Sequence, residues 1–570
     1  MSGFLVVLSK NNNLPQFQTE HRSLGHCVQN KIEYPGVKVE RFTNPKFLQD
    51  KIFQDDREVL AVIEGAILNF KKLQNNYGQV DYFHTVKKMY HQQGDNFCHS
   101  FRGEFSGILY DKALDKWIIF TNHTSSKPLY YFSDDNFFIC ASEMYLVTQT
   151  MKKLNLKYSL DVTGAYCLLT FGFMLEEYTL MEQIKKLRPG NYIKIEKGKT
   201  DIIEYHSFSN DTQTTDSHAK IIDTLEMLFQ NAIKLEYGKD VEYGYRHIAT
   251  LSGGLDSRMS VMSAKELGFN DILNINWCQN KYYDERTARQ IASDMSEGFL
   301  FYALDSGNYL TNTIEDAVVA NGGLVLYSGS AHLLSCIRTI NFDHFGLLHT
   351  GQIGDAIMGS FVSKPSHQPP RPLLGVYSKK LKDKILPVAS EIIKRYKTKE
   401  IFMLYNRAFN GALNGTWTSH QFTESGSVFL DVDFCEYCFS IPPAMRCEES
   451  IYVDWILAKH RSFAKYPWEG SKAKLTDSRL VAMFKRYLWI AQVILLGRRD
   501  LRSMNPFQYW LKINSELRTY IERYFEQNIY LLDDFPELRK DSELLFRTGT
   551  LTEKTQVMTL LAAIKFHFNL

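Results

Sequence analysis

The sequence predicts a mixed α/β protein built in series: a strand-rich α+β unit, a parallel α/β unit, and a helical carboxy-terminal region. Three observations carry this. Short apolar runs alternate with turn clusters over about the first 200 residues. A buried-strand run, Ile248–Leu251, leads into a glycine-rich turn and then a helical pattern, and helices and strands alternate from there on. Beyond about residue 480 the periodicity is helical.

In chain order, the amino-terminal strands are expected at Phe4–Leu8, Val59–Ile63, Phe105–Tyr110, Trp117–Phe120, Leu129–Phe132 and Phe137–Cys140. Lys112-Ala-Leu-Asp115 and Ser133-Asp-Asp-Asn136 separate some of these as turns. Pro189-Gly190 precedes a further strand at Tyr192–Ile195. The polar stretch 207–217 lacks periodicity and reads as a linker. The strand Ile272–Trp277 follows the glycine-rich turn, and then a helix with Ala288, Ile291, Ala292 and Met295 on one face. Cys435 and Cys438 have CxxC spacing, but no second pair faces them, and an amphipathic helix ending before Pro442 explains them better than a metal site. The longest apolar run, Leu488–Leu496, is expected to be a buried helix segment, since it falls short of the ~20 residues needed to span a bilayer.

The clearest motif is Ser252-Gly-Gly-Leu-Asp-Ser257, between that strand and a helix that Gly268 closes. Glycines let backbone N–H groups approach an anion, and the helix N-terminus favours negative charge. Ser252 and Ser257 add hydroxyl donors. Asp256 repels phosphate directly, so it makes sense as a Mg²⁺ ligand that neutralises pyrophosphate.

Composition excludes several classes. The 570 residues are 44% apolar and 23% charged, which is ordinary for a chain with a real core and rules out disorder. Lys+Arg is 66 against 64 Asp+Glu, so no nucleic-acid or acidic-membrane partner is expected. Nine scattered cysteines make no disulfide scaffold, and no secretory signal opens the chain, so the expected compartment is cytoplasmic. The oligomeric state is left open, a homodimer included.

The loop motif resembles the pyrophosphatase loop of the ATP pyrophosphatases, and the chain resembles their asparagine synthetase branch. Gly103–Asp111, Lys127-Pro-Leu-Tyr-Tyr131, Ala141-Ser-Glu143 and Leu187-Arg-Pro-Gly190 resemble segments of that family's amino-terminal glutaminase-type domain. Thr350–Gly359 and Phe429-Leu-Asp431 with Ser440-Ile-Pro442 resemble its second and third synthetase motifs. The ordered set covers about residues 1–475. The resemblance implies an Ntn-type α+β sandwich domain over 1–206, an ATP pyrophosphatase domain over 218–475 and a helical region over 476–570. It implies ATP and Mg²⁺ as cofactors, a carboxylate substrate and an amine nucleophile (small molecule or peptide), and an acyl-adenylate route to an amide. Ser252, Gly253, Gly254, Leu255, Asp256, Ser257 and Gly351 become the expected ATP contacts, and Asp256 and Asp355 the expected metal ligands.

Departures from the family pattern bear on function. Where asparagine synthetases carry a glutamate, and β-lactam-forming relatives a tyrosine, this chain has Gln352, which cannot accept a proton from an ammonium. Glu424, seven residues before Asp431, is a candidate to supply the missing negative charge. The family's lysine after the third motif is matched by Lys472 or Lys474, in a stretch 471–500 with seven basic residues against Asp477 and Asp500. The glutaminase cysteine is replaced by Ser2, and the oxyanion-binding asparagine by Glu64. The expectation is therefore an AMP-forming amide ligase without glutaminase activity, in the manner of the β-lactam and lasso-peptide-forming members, intramolecular coupling to a lactam or macrocycle included. An asparagine synthetase and a silent scaffold are the alternatives.

Overall fold

The computed structural model describes residues 3–568. The amino-terminal unit is two six-stranded antiparallel sheets. One runs in the order Lys185–Lys186, Tyr130–Ser133, Phe137–Ala141, Gly3–Ser9, Val37–Thr43, Val28–Tyr34. The other runs Lys199–Glu204, Asn191–Glu196, Lys116–Thr121, Gly103–Asp111, Val59–Ile67, Ile52–Asp55. Strand alternation sorts the first strand's side chains between layers. Phe4, Val6 and Leu8 pack between the sheets against Leu60, Val62, Ile108 and Ile119, while Leu5 and Val7 face the opposite way. Helices cover both outer faces. Phe70–Tyr77 and Tyr82–Gln93 lie on the second sheet, and Met144–Lys153 and Val162–Phe171 belong to the core on the side of the first. All the strands expected from the sequence are present, with five more that their mixed composition concealed.

The second unit holds a five-stranded parallel sheet in the order Gly298–Ala303, Ile272–Cys278, Arg246–Thr250, Phe345–Thr350, Ser425–Ser427. The chain enters at the central strand, builds outward on one side, then returns to build on the other. The strand order therefore reverses between Arg246–Thr250 and Phe345–Thr350, where a crevice opens at the carboxyl ends of the strands.

The stretch 207–217 is irregular, as a linker should be, but it is held down. Tyr405 Oη accepts from the Phe208 N–H at 3.0 Å, and Asn210 Nδ2 donates to Glu400 at 2.7 Å. Cys435 and Cys438 lie buried and unlinked on the helix Val432–Ser440. Gly268 stands after its helix at φ 93°.

The carboxy-terminal region is helical, and its last helix, Leu551–Phe568, is buried along most of its length. Gln556 Nε2 donates to the Leu168 carbonyl at 3.0 Å, and His567 Nε2 lies 2.9 Å from the Gly322 carbonyl, so this helix ties both units together.

One expectation fails here. Leu488–Leu496 falls mostly on the helix Arg479–Leu495, but it is not a buried segment: Leu488 is 46% exposed, Ile494 65% and Leu495 84%. Val493 is buried and Ala482, Trp489 and Ala491 are half-buried, a narrow inward stripe on an otherwise exposed helix. Among the described residues no helix is long and apolar enough to cross a membrane.

Candidate active site

The loop after Arg246–Thr250 and the loop after Phe345–Thr350 meet at the crevice, back to back. A Cβ on Gly351 would lie 2.3 Å from the Ser257 nitrogen, and one on Gly354 2.6 Å from Asp256 Cγ. Only glycine permits that approach. Between them Ile353 is held at φ 69°, a costly conformation for a β-branched residue and one typical of functional loops.

Within the first loop, the Ser252 N–H donates to Ser257 Oγ at 2.9 Å, and the two hydroxyls are 2.9 Å apart. The Gly254 N–H donates to Ser252 Oγ at 3.1 Å, and Leu255 opens the helix Leu255–Glu266. Asp256 sits in that first turn. Its Oδ2 accepts from the Asp355 N–H at 2.9 Å and its Oδ1 from Tyr452 Oη at 3.1 Å. Burial, then the neighbouring Asp355 carboxylate, hold its carboxyl well above the usual range. Burial and Asp355 likewise push Glu449 up to about 7. Carboxylates that raise one another in this way suit a hard divalent ion such as Mg²⁺ in donor chemistry, but their oxygens do not converge on one point: among the described residues the group whose ligand atoms lie within 4.8 Å of one another is Asp240, His247 and His349.

Gln352 lies on the same cavity wall with both ends of its amide engaged. Nε2 donates to the Ala412 carbonyl, and Oε1 accepts from Thr416 Oγ1 at 2.5 Å. These partners match a neutral amide, which is not a base for an ammonium proton.

The remaining candidates lie elsewhere. Glu424 does not line the cavity. It is fully buried where the two units meet, with Lys51 Nζ at 2.8 Å and Lys127 Nζ at 2.6 Å. Burial works to raise its pKa, but Lys127, Lys51 and His420 outweigh this and hold the carboxyl well below its usual range. Lys472 lies behind Glu469, with Nζ 2.7 Å from Glu469 Oε1 and over the rings of Tyr282, Tyr283 and Trp489. Lys474 is exposed, and its N–H donates to Asp477 at 2.9 Å. Neither lysine lines the cavity, whereas Glu469 does.

Sequence reasoning missed several groups. Asp284 stands in the first turn of the helix Tyr283–Asp294, where an acid needs no further explanation. It is buried, accepting from the Gly253 N–H at 2.6 Å and from Asn276 Nδ2 at 3.0 Å, so it braces the loop. Arg258, also buried, donates to the carbonyls of Gly253 (3.1 Å), Phe463 (3.1 Å) and Pro467 (2.8 Å), clamping the loop to a distant segment. Tyr452, Glu449 and Glu469 carry no motif at all.

In the amino-terminal unit Glu64 is fully buried, accepts from Thr43 Oγ1 at 2.8 Å, and is pushed up to about 7 by burial, with Lys51 and Arg41 opposing. Ser2, the expected replacement for the nucleophile, lies outside the described residues.

Residues 49–206 match a glutamine amidotransferase domain family. A candidate glutamine-hydrolyzing asparagine synthetase (number 2) of Methanocaldococcus jannaschii is 26% identical over 238 residues, 40% of this chain and 45% of that protein. Residues 49–206 are thus a glutamine amidotransferase-type domain, and the chain is similar to an asparagine synthetase. The match spans less than half the length of that synthetase relative. Two solved structures also align, each at TM-score 0.23 and 8% identity. The allosteric regulatory enzyme of purine biosynthesis aligns over 53% of this chain and 74% of its own. The glutamine phosphoribosylpyrophosphate amidotransferase of B. subtilis aligns over 71% and 90%.

Proposed function

We propose that this chain is an ATP-dependent, AMP-forming amide ligase that adenylates a carboxylate and couples it to an amine without drawing ammonia from glutamine. One observation supports the reading: Ser252, Gly254, Asp256 and Ser257 of the first loop and Thr350, Gly351 and Gln352 of the second line one cavity, about 800 Å³ in volume, at the reversal point of the parallel sheet, and the Asp355 N–H donates to Asp256. The serine hydroxyls and the N–H groups in the first turn of the helix Leu255–Glu266 would bind phosphate oxygens, the Ser252, Gly253 and Gly254 N–H groups being engaged within the protein. Asp256 and Asp355, with Glu449 beside them, would hold Mg²⁺, which when bound neutralises pyrophosphate charge. The substrate carboxylate attacks the α-phosphorus and pyrophosphate leaves. The amine then attacks the acyl carbon, AMP leaves, and the amide remains. Gln352 orients groups at the cleft but takes no proton, so the amine must arrive unprotonated.

Asparagine formation from ammonia or glutamine is the second reading, favoured by the description of the archaeal relative as a glutamine-hydrolyzing asparagine synthetase. It requires an acceptor for the ammonium proton, and the Gln352 oxygen is already engaged by Thr416.

The test is exchange of labelled pyrophosphate into ATP. Exchange should depend on an added carboxylate, and Asp256→Asn should lower it at least ~100-fold, the ~3 kcal/mol typical of losing one electrostatic group at a reacting centre. Full exchange by the variant would remove Asp256 from the site.

A further inference from the structure

The helix Arg479–Leu495 turns an apolar face outward. Leu480, Phe484, Tyr487, Ile494 and Leu495 are 65–84% exposed. At about 3.6 residues per turn they share an arc of roughly 100°, and the exposed Val481, Met483, Leu488 and Ile490 widen it to roughly half the circumference. Leu496, also exposed, continues the face past the helix end. Exposed apolar side chains such as Val80, Leu114 and Ile202 are scattered along the chain, which is ordinary for a protein surface. A contiguous outward face marks an interaction surface.

The charge around this face has one sign. No Asp or Glu occurs between Asp477 and Asp500. Those two flanking acids are already neutralised: Lys485 Nζ lies 2.7 Å from Asp477 Oδ2, and Arg498 Nη2 lies 2.9 Å from Asp500 Oδ2. Arg486, Arg499 and Arg502 are exposed and pair with no carboxylate among the described residues. On the helical repeat, Lys485 and Arg486 stand at the two edges of the apolar arc. There a long stem lies along apolar matter while the cation stays in a polar layer. The chain's net charge of +2 conceals this local excess, because the balancing acids lie elsewhere in the sequence.

We propose that this helix is a peripheral docking surface for an anionic lipid bilayer. It lies in the interface, with its outer half at the boundary between headgroups and acyl chains and its cations against lipid phosphates. Two considerations select the bilayer. The apolar face is the convex outer half of one helix, which a fluid bilayer accepts without a matched groove. A second copy pairing helix to helix would set one basic rim against another, with no acid between Asp477 and Asp500 to meet it. The inward side connects the surface to the cavity. Lys472 Nζ lies 4.9 Å from the Trp489 ring centroid and 2.7 Å from Glu469, which lines the cavity, as do Ser503 and Met504 just past the helix. Docking therefore sets the cavity rim at the lipid surface, whatever reaction the cavity performs.

The experiment is sedimentation of the full chain with large unilamellar vesicles, either pure phosphatidylcholine or phosphatidylcholine with about 30% phosphatidylglycerol. Wild type should bind the anionic vesicles at least ~10-fold more tightly, and raising the salt from about 0.05 M to about 0.5 M should remove most of that difference. The double variant Phe484→Ser, Leu495→Ser should lose at least ~10-fold in binding to anionic vesicles with an unchanged melting temperature, since both side chains are exposed. The triple variant Arg486→Gln, Arg499→Gln, Arg502→Gln should lose the anionic preference and keep the weak binding to phosphatidylcholine. No binding to anionic vesicles, equal binding of wild type to both kinds, or undiminished binding by the double variant overturns the proposal. So does a wild-type chain that fails to bind vesicles but sediments as a dimer that the double variant splits, which would assign the face to a second copy.

Discussion

Glu424 Oε1 lies 2.8 Å from Lys51 Nζ, and that contact crosses from the parallel-sheet unit to the amidotransferase-type unit. Lys127 reaches the other carboxylate oxygen at 2.6 Å. All three side chains are buried. Removing one charge from such a group leaves the others desolvated and uncompensated, which is far more costly than losing a surface pair.

Glu424→Gln should therefore destabilise the chain by about 3–5 kcal/mol, with the loss read in thermal or denaturant melts. The folded pKa is depressed, so this stabilisation is fully present above the unfolded value of about 4.3 and lost as pH falls through the folded one. Wild type should lose stability below about pH 4 more steeply than the variant. Parallel pH curves would remove the ion pairs as the cause.

His349 gives the opposite sign. It stands between Glu236 at 2.8 Å and Asp240 at 2.7 Å, stacked on Tyr237, with Asp240 also 2.9 Å from His247. Burial works to lower its pKa, but Asp240 and Glu236 raise it to about 9. Its contribution is complete below the unfolded value of about 6.5 and is lost as pH rises through about 9. The melting temperature should fall between pH 7 and pH 9.5, and His349→Gln should lower the whole curve and flatten that slope. An unchanged slope in the variant would assign it to another group.

Gln352→Glu replaces a donor facing the Ala412 carbonyl with an acceptor. The new carboxyl must stay protonated or turn away, costing about 1–3 kcal/mol at pH 8 and less at pH 5. Once turned into the cleft it supplies the missing base, so turnover with ammonia should rise relative to the natural amine. In wild type the rate should climb with pH until an amine of pKa near 8 is neutral. A flat profile from about pH 6 to 9, with chemistry limiting, would show that the protein takes the proton itself.

Glutamine should release no ammonia with the full chain, and Ser2→Ala should change nothing. At pH 7 the Glu64 carboxyl, titrating at about 7, is partly charged where the family resemblance expects an oxyanion donor. Ammonia release that disappears in Ser2→Ala would restore the glutaminase.

Legibility from sequence followed the range of the interaction. Strand runs such as Phe105–Tyr110 and the Ser252–Ser257 turn depend on neighbours a few residues away, and both were readable. Asp284 is 31 residues from the Gly253 N–H it accepts from, and Arg258 is 209 from the Pro467 carbonyl, so no local pattern marks them as parts of the loop.

The amino-acid sequence by itself determined the local arrangement of strand, glycine-rich turn and helix around Ser252–Ser257, because each depends on residues nearby in the chain. It also determined the two-part α/β plan through the spacing of apolar residues. Tertiary structure decided which of the named groups share a site. It brought Asp355 against Asp256 across 99 positions, sent Glu424 to Lys51 and Lys127, and left the apolar run Leu488–Leu496 largely in solvent. The physical reason is that a buried charge takes its role from whichever opposite charge or donor packing places within a few ångströms. That partner is set by the crossing of whole sheets and helices, not by residues nearby in the chain.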